Sequence, residues 1–141
     1  MTAAIVATMD RASIVRTIFD EGWNAQQFDA VASALSAFQF HIGGKSQTMD
    51  ITELGAIVRS WHDAFPDLRF DVHAVTSSDD VAAAHATLRG THLGPWKGLA
   101  PTGRTIEIEH MFFFRFDGPA ITDVWELLDR SLLANQLGAT T

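Results

Sequence analysis

Between Thr105 and Asp117 the chain reads TIEIEHMFFFRFD, and its even positions, Ile106, Ile108, His110, Phe112, Phe114 and Phe116, form one nearly unbroken apolar row. Side chains of a strand alternate sides, so this row is one face of a long strand, and so apolar a face has to be covered. The same period of two recurs at about 68–77, 80–89 and 120–128, which predicts strands there as well. Ser77-Ser78-Asp79-Asp80 and Asp117-Gly118-Pro119 are turn chemistry between alternating runs, so neighbouring strands are expected to be antiparallel hairpins.

Ahead of these strands the period is that of helices. Ile14, Val15, Ile18, Phe19 and Trp23 make one stripe after a candidate N-cap, Asp10, and a short second helix carries Phe28, Val31 and Leu35. Phe38, Phe40 and Ile42 then alternate as in a strand. Asp50 with Glu53 reads as a capping box, after which Leu54, Ile57, Val58, Trp61 and Phe65 continue a helical stripe until Pro66 ends it. A last helix, Arg130 to Leu137, stops at Gly138, with Asp129 as its expected N-cap. Helices followed by strands predict an α+β fold, with helices packed on one face of a curved, mainly antiparallel sheet.

Two ionisable residues interrupt the apolar rows. His110 lies on the even face of the 105–117 strand, and the same parity in the 120–128 strand gives Thr122, Val124, Glu126 and Leu128. A carboxylate is almost never fully buried without a pair or a role, because desolvation costs it several kcal/mol by order of magnitude. Each residue has a plainer explanation: His110 as a hydrogen-bonded core histidine, and Glu126 turned to water by a bulge that shifts the parity. Together, in adjacent hairpin strands, they put a carboxylate and an imidazole on one wall, as proton abstraction requires.

The segment Arg89 to Arg104, RGTHLGPWKGLAPTGR, is too long for a hairpin turn and reads as a binding element or lid, with Trp96 as an apolar cover and His92 as a polar group. Its glycines match neither phosphate-binding fingerprint, so no nucleotide is expected. Trp61 and Phe112 are candidate pocket walls. His41 lies opposite in parity to Phe40 and Ile42, and none of His41, His62, His73, His85 and His92 shows HxH or HExxH spacing, so no metal site is expected. Trp125 faces the other way with Met111, Phe113 and Leu127, a face apolar enough to suggest a homodimer through the sheet.

Composition excludes several classes. With 47% hydrophobic residues and 19% charged in 141, the chain has material for a core and is not disordered. A formal charge of −7 without any basic block argues against nucleic acid. The absence of Cys and Tyr removes thiol nucleophiles, disulfides and phenol acids. No stretch approaches a membrane span or a signal peptide, so a cytoplasmic protein is expected, one domain over 1–141 with residues 1–9 as a flexible N-terminal segment.

FPDLRFDVH at 65–73, RGTHLGPWKGLAPTGR at 89–104, FFRFDG at 113–118 and DVWELLDRSLLANQLG at 123–138 resemble the SnoaL-like polyketide cyclase family, within the nuclear-transport-factor-2-like superfamily. The resemblance implies a cone-shaped α+β fold whose curved sheet and N-terminal helices enclose an apolar pocket. It also implies an acid/base residue one position after the last strand's Trp, which is Glu126 here, where the cyclases usually carry Asp. The implied chemistry is an intramolecular aldol condensation on a small apolar carbonyl compound, with no metal or organic cofactor. The pocket histidine of some cyclases falls at Phe112, and His110 lies two residues away on the same face, placed to orient Glu126 or to donate to an enolate oxygen.

Other classes remain open at this point. An isomerase of the same fold is one; a water-activating hydrolase or hydroxylase of the same fold is another and would want an Asp-Arg-Asp-like set, which Arg89, Asp123 and Glu126 imitate only loosely, since Arg89 and Asp123 have the wrong parity. A non-catalytic binding or dimerisation module would pair Glu126 and His110 with each other or with the backbone and fill its pocket with Phe side chains.

Overall fold

The computed structural model describes residues 9–138, so the expected flexible segment at 1–9 lies, apart from Met9, outside the described residues. Helix α1 (Arg11–Thr17) starts where Asp10 accepts a hydrogen bond from the Ser13 N–H at 2.7 Å. It continues as a π-helical stretch, Ile18–Trp23, which the apolar spacing did not reveal. Asn24 then docks that end on the sheet: its side-chain amide donates to the Phe70 carbonyl at 3.0 Å, and its oxygen accepts from the Phe70 N–H at 2.7 Å. A 3-10 helix, Asp29–Leu35, precedes β1 (Phe38–Ile42).

Strand β2 (Lys45–Met49) was not expected, because its residues are polar and exposed except Met49. It pairs with β1 across Gly43-Gly44, a two-residue hairpin turn whose glycines have φ of 60° and 77°. Helix α2 (Ile51–Ala64) has both halves of the capping box at Asp50 and Glu53. Then follow β3 (Arg69–Ser78), β4 (Val81–Thr91), β5 (Thr105–Asp117), β6 (Ala120–Leu128) and α3 (Arg130–Gln136), capped by Asp129. The six strands run in the order β2-β1-β6-β5-β4-β3, all antiparallel except β1 beside β6. This is the α+β, mainly antiparallel curved sheet that the alternation predicts. Among the described residues no helix is long and apolar enough to cross a membrane.

The even row of β5 is buried along its whole length and the odd row is exposed. Opposite it, β4 presents alanines: Ala82 pairs with Phe114, Ala84 with Phe112 and Ala86 with His110. The space these small residues leave is taken by Phe19, whose ring meets Phe70, Phe112 and Phe114 edge-on at 5.2, 5.0 and 6.5 Å between centroids. Arg11, at the start of α1, donates to the carbonyls of Asp79 and Gly118, clipping the helix to the β3–β4 and β5–β6 turns.

On the outer face Asp71 lies 2.6 Å from both Arg69 and Arg89, and Arg89 reaches Glu107 at 2.7 Å. The hydrogen bond from Arg89, then the charge of Arg69, holds the Asp71 carboxyl below its ordinary 3.8. A carboxyl lowered on folding stabilises the fold above its unfolded value, and that stabilisation is lost as pH falls through the lower folded value. Thermal melts are therefore expected to show Asp71→Asn less stable than wild type at neutral pH, with the difference closing below about pH 4. A difference that does not shrink as the pH falls would assign the loss to packing instead.

Candidate active site

Glu126 stands directly across from Phe112 in the β5–β6 ladder and from Ile42 in the β1–β6 ladder. A bulge does shift the β6 parity, but it lies between the Arg115–Asp123 and Phe116–Ile121 pairs, so Thr122 is the extra residue. From Asp123 onward the alternation resumes, and Glu126 stays on the inner face, 8% exposed. His110, diagonal to it on β5, is 1% exposed, and its Nε2 lies 3.1 Å from a Glu126 carboxylate oxygen.

The protons of this pair follow from its neighbours. The Ile108 carbonyl, 3.1 Å from His110 Nδ1, can only accept, so Nδ1 carries a hydrogen. That leaves Nε2 facing the carboxylate, close to it yet off the line of a straight hydrogen bond. An imidazole this close to a carboxylate is the kind of neighbour that lets an ionisable side chain tolerate burial.

Two cavities meet at Glu126. A void of about 30 Å³ lies between Ile18, Phe19, Phe38 and the β5 phenylalanines, and a cavity of about 770 Å³ opens from Glu126 toward Trp61, Trp96 and α3. Glu126, Trp23, Phe40 and Leu54 border both. A cavity of this size is in the range of small-molecule sites, roughly 300–1,000 Å³. Among the described residues, Glu126 is the only ionisable group on the wall of the inner void.

Of the residues singled out in the sequence, Phe112 lines the inner void, while Trp61 and Trp96 line the large cavity and lie against each other, 4.1 Å between centroids. His92 borders neither cavity. It is fully buried at the base of its loop, where Nδ1 accepts from the Thr102 N–H at 3.2 Å and the ring packs on Phe65. Its backbone pairs with Arg104 and Gly103, so His92 closes the loop on itself instead of facing a ligand. The loop is tied down further by Leu93 and Gly94, which both donate to the Ala64 carbonyl at 3.0 Å. Gly94 passes so near α2 that a Cβ would stand 2.1 Å from the Asp63 carbonyl oxygen, and this close approach seats Trp96 on Trp61.

His110 is likewise absent from both walls, behind Phe112 and Glu126, so it touches the carboxylate and not the cavity. His41, on the outer face as its parity predicts, stacks on Trp125 at 4.6 Å and donates to Asp123 at 2.9 Å. This bond, and a smaller one from Thr122, lower the Asp123 carboxyl from its ordinary value. Asp123 and Arg89 are thus engaged on the outer side, away from Glu126. Lys45 and Arg130, both on the wall of the large cavity, were not foreseen. The readable signal for Lys45 was the Gly43-Gly44 turn, which makes Lys45 the partner of inward-facing Ile42.

The family model of SnoaL-like polyketide cyclases matches residues 13–137. The chain belongs to this family. Solved structures agree on the fold. AclR of Streptomyces galilaeus, a candidate hydroxylase, is 20% identical over 93% of this chain and 86% of its own, with a TM-score of 0.78. IdmH of Streptomyces antibioticus, a candidate polyketide cyclase, is 21% identical over 92% of this chain and 100% of its own, with a TM-score of 0.77. TsrD of Streptomyces laurentii is 23% identical over 94% and 99%, with a TM-score of 0.78. No curated protein matches the chain.

Proposed function

We propose that this SnoaL-like protein is an enzyme that performs cofactor-independent enolate chemistry on an apolar carbonyl compound, with Glu126 as the acid/base. The observation that supports it is the placement of one carboxylate at the junction of an otherwise apolar void and a ligand-sized cavity, with an imidazole 3.1 Å behind it. The carboxylate takes a proton from the carbon beside a carbonyl, and the enolate attacks a second carbonyl of the same molecule, forming the carbon–carbon bond. The new alkoxide then takes the proton back from Glu126. His110 acts through Glu126: its Nε2, 3.1 Å from the carboxylate, fixes where the carboxylate stands on the cavity wall. It is a positioning residue, since it does not reach the cavity.

The alternatives fare less well. On the side of the inner void, water activation, which needs a water held by roughly two to four polar partners, finds a single carboxylate. A binding module filled by phenylalanine conflicts with a cavity of about 770 Å³, although the pairing of Glu126 with His110 is the one it anticipated. Cytoplasmic location and a homodimer belong to the same proposal. Met111, Phe113 and Leu127, at 48, 40 and 70% exposure, are the apolar residues two sheets would share. Sedimentation at micromolar concentration is expected to read a dimer, and a stable monomer would remove that part.

The chemistry is tested by proton–deuterium exchange into an enolisable ketone such as benzoylacetone, followed by NMR. Wild type is expected to accelerate exchange, and Glu126→Gln to lose at least about 100-fold of that acceleration while melting as wild type does. His110→Asn is expected to lower kcat, leave KM unchanged and displace the pH profile. Full acceleration in Glu126→Gln would take this residue out of the mechanism.

A further inference from the structure

Apolar walls and one carboxylate do not explain the charges at the mouth of the large cavity. Of the 10 Lys and Arg residues, Lys45, Lys97 and Arg130 line it, whereas of the 17 Asp and Glu residues only Glu126 does. In a chain of net charge −7 this reverses the overall sign. None of the three cations takes part in an ion pair among the described residues, while Arg69 and Arg89 on the outer face do.

The ladder sets their position. Lys45 pairs with Ile42 and Ile42 with Glu126, and directly paired residues share a face, so Lys45 stands on the Glu126 row two strands away. Arg130 arrives from just past the end of β6. Its guanidinium lies over Gly43, where a Cβ would meet Nη1 and Nη2 at 3.1 Å. A glycine at this turn therefore lets Arg130 settle two residues from Lys45. Lys97 overhangs from the loop, with its ammonium 5.2 Å from the Trp96 ring centroid.

We infer that Lys45 and Arg130, with Lys97 above, form a carboxylate-binding subsite, so that the substrate is an apolar ketone bearing a carboxylate about 10 Å, two strand spacings, from the carbon that Glu126 deprotonates. This rests on the large cavity being the substrate pocket of the reaction proposed above. An Arg fork beside a Lys suits a planar, singly charged group. The arrangement also sets orientation. The acid end is held at the mouth, and the reverse pose would press a second carboxylate against Glu126, where like charges repel with little water to screen them.

The test is binding of an acetylnaphthoic acid, its acetyl and carboxyl groups at opposite ends of the ring system, against its methyl ester. Quenching of the tryptophans on the cavity wall reports it in the intact protein. At low salt the acid is expected to bind wild type roughly tenfold more tightly than the ester, a preference that shrinks toward unity in Arg130→Gln and in Lys45→Gln and persists in Glu126→Gln. Should Arg130→Gln fail to melt as wild type does, Lys45→Gln in the exposed β2 strand decides. Equal binding of acid and ester, binding of neither, or a preference unchanged in the cation variants overturns the subsite. None of these outcomes bears on the benzoylacetone exchange, which judges Glu126 separately.

Discussion

Small residues on one strand and large ones on the next govern this structure. The alanine row of β4 lies against the phenylalanine row of β5, and only that mismatch lets Phe19 of the helical layer enter between Phe70, Phe112 and Phe114. Burial of an aromatic side chain of this kind is worth about 1.5–3 kcal/mol. The same packing covers the inner face as far as Phe112 and leaves the space beyond it, over β6, β1 and β2, unfilled. The pocket is thus the space that α2 and α3 border without filling, and Glu126 stands at its inner end.

A buried carboxylate in that position has to be accommodated by something. His110 supplies the partner, and the Ile108 carbonyl orients the imidazole so that Nε2 is the atom presented. The two residues come from adjacent strands on the same face, so the ladder that forms the core also forms the site. The bulge at Thr122 shows how narrowly this is set. Placed past Glu126 it would have turned Glu126 to solvent, and placed where it is it leaves the final six residues of β6 in register with β5.

Much of this was legible in the sequence, since a period of two over thirteen residues of β5 forces one face inward, and capping at Asp10, Asp50 and Asp129 marks three helix starts by local chemistry. What escaped notice is physically instructive. β2 is an edge strand of polar residues, held by its pairing with β1 and not by burial, so no hydrophobic pattern announces it. The π-helical turn keeps the apolar stripe of an ordinary helix. A long, glycine-rich loop suggests that His92 faces a ligand, yet its backbone pairs and Thr102 draw it inside. Lys45 and Arg130 are 85 positions apart in the chain, and only the fold brings both to one cavity mouth.

The central claim is that the large cavity delivers a ketone to Glu126. A crystal structure of Glu126→Gln with a non-cyclising aryl ketone bound tests it most directly. The carbon beside the carbonyl is expected within about 3.5 Å of the residue 126 side chain, with the ring between Trp61, Trp96 and Leu54. A ketone held only outside the two tryptophans, or with its enolisable carbon turned away from residue 126, would contradict it.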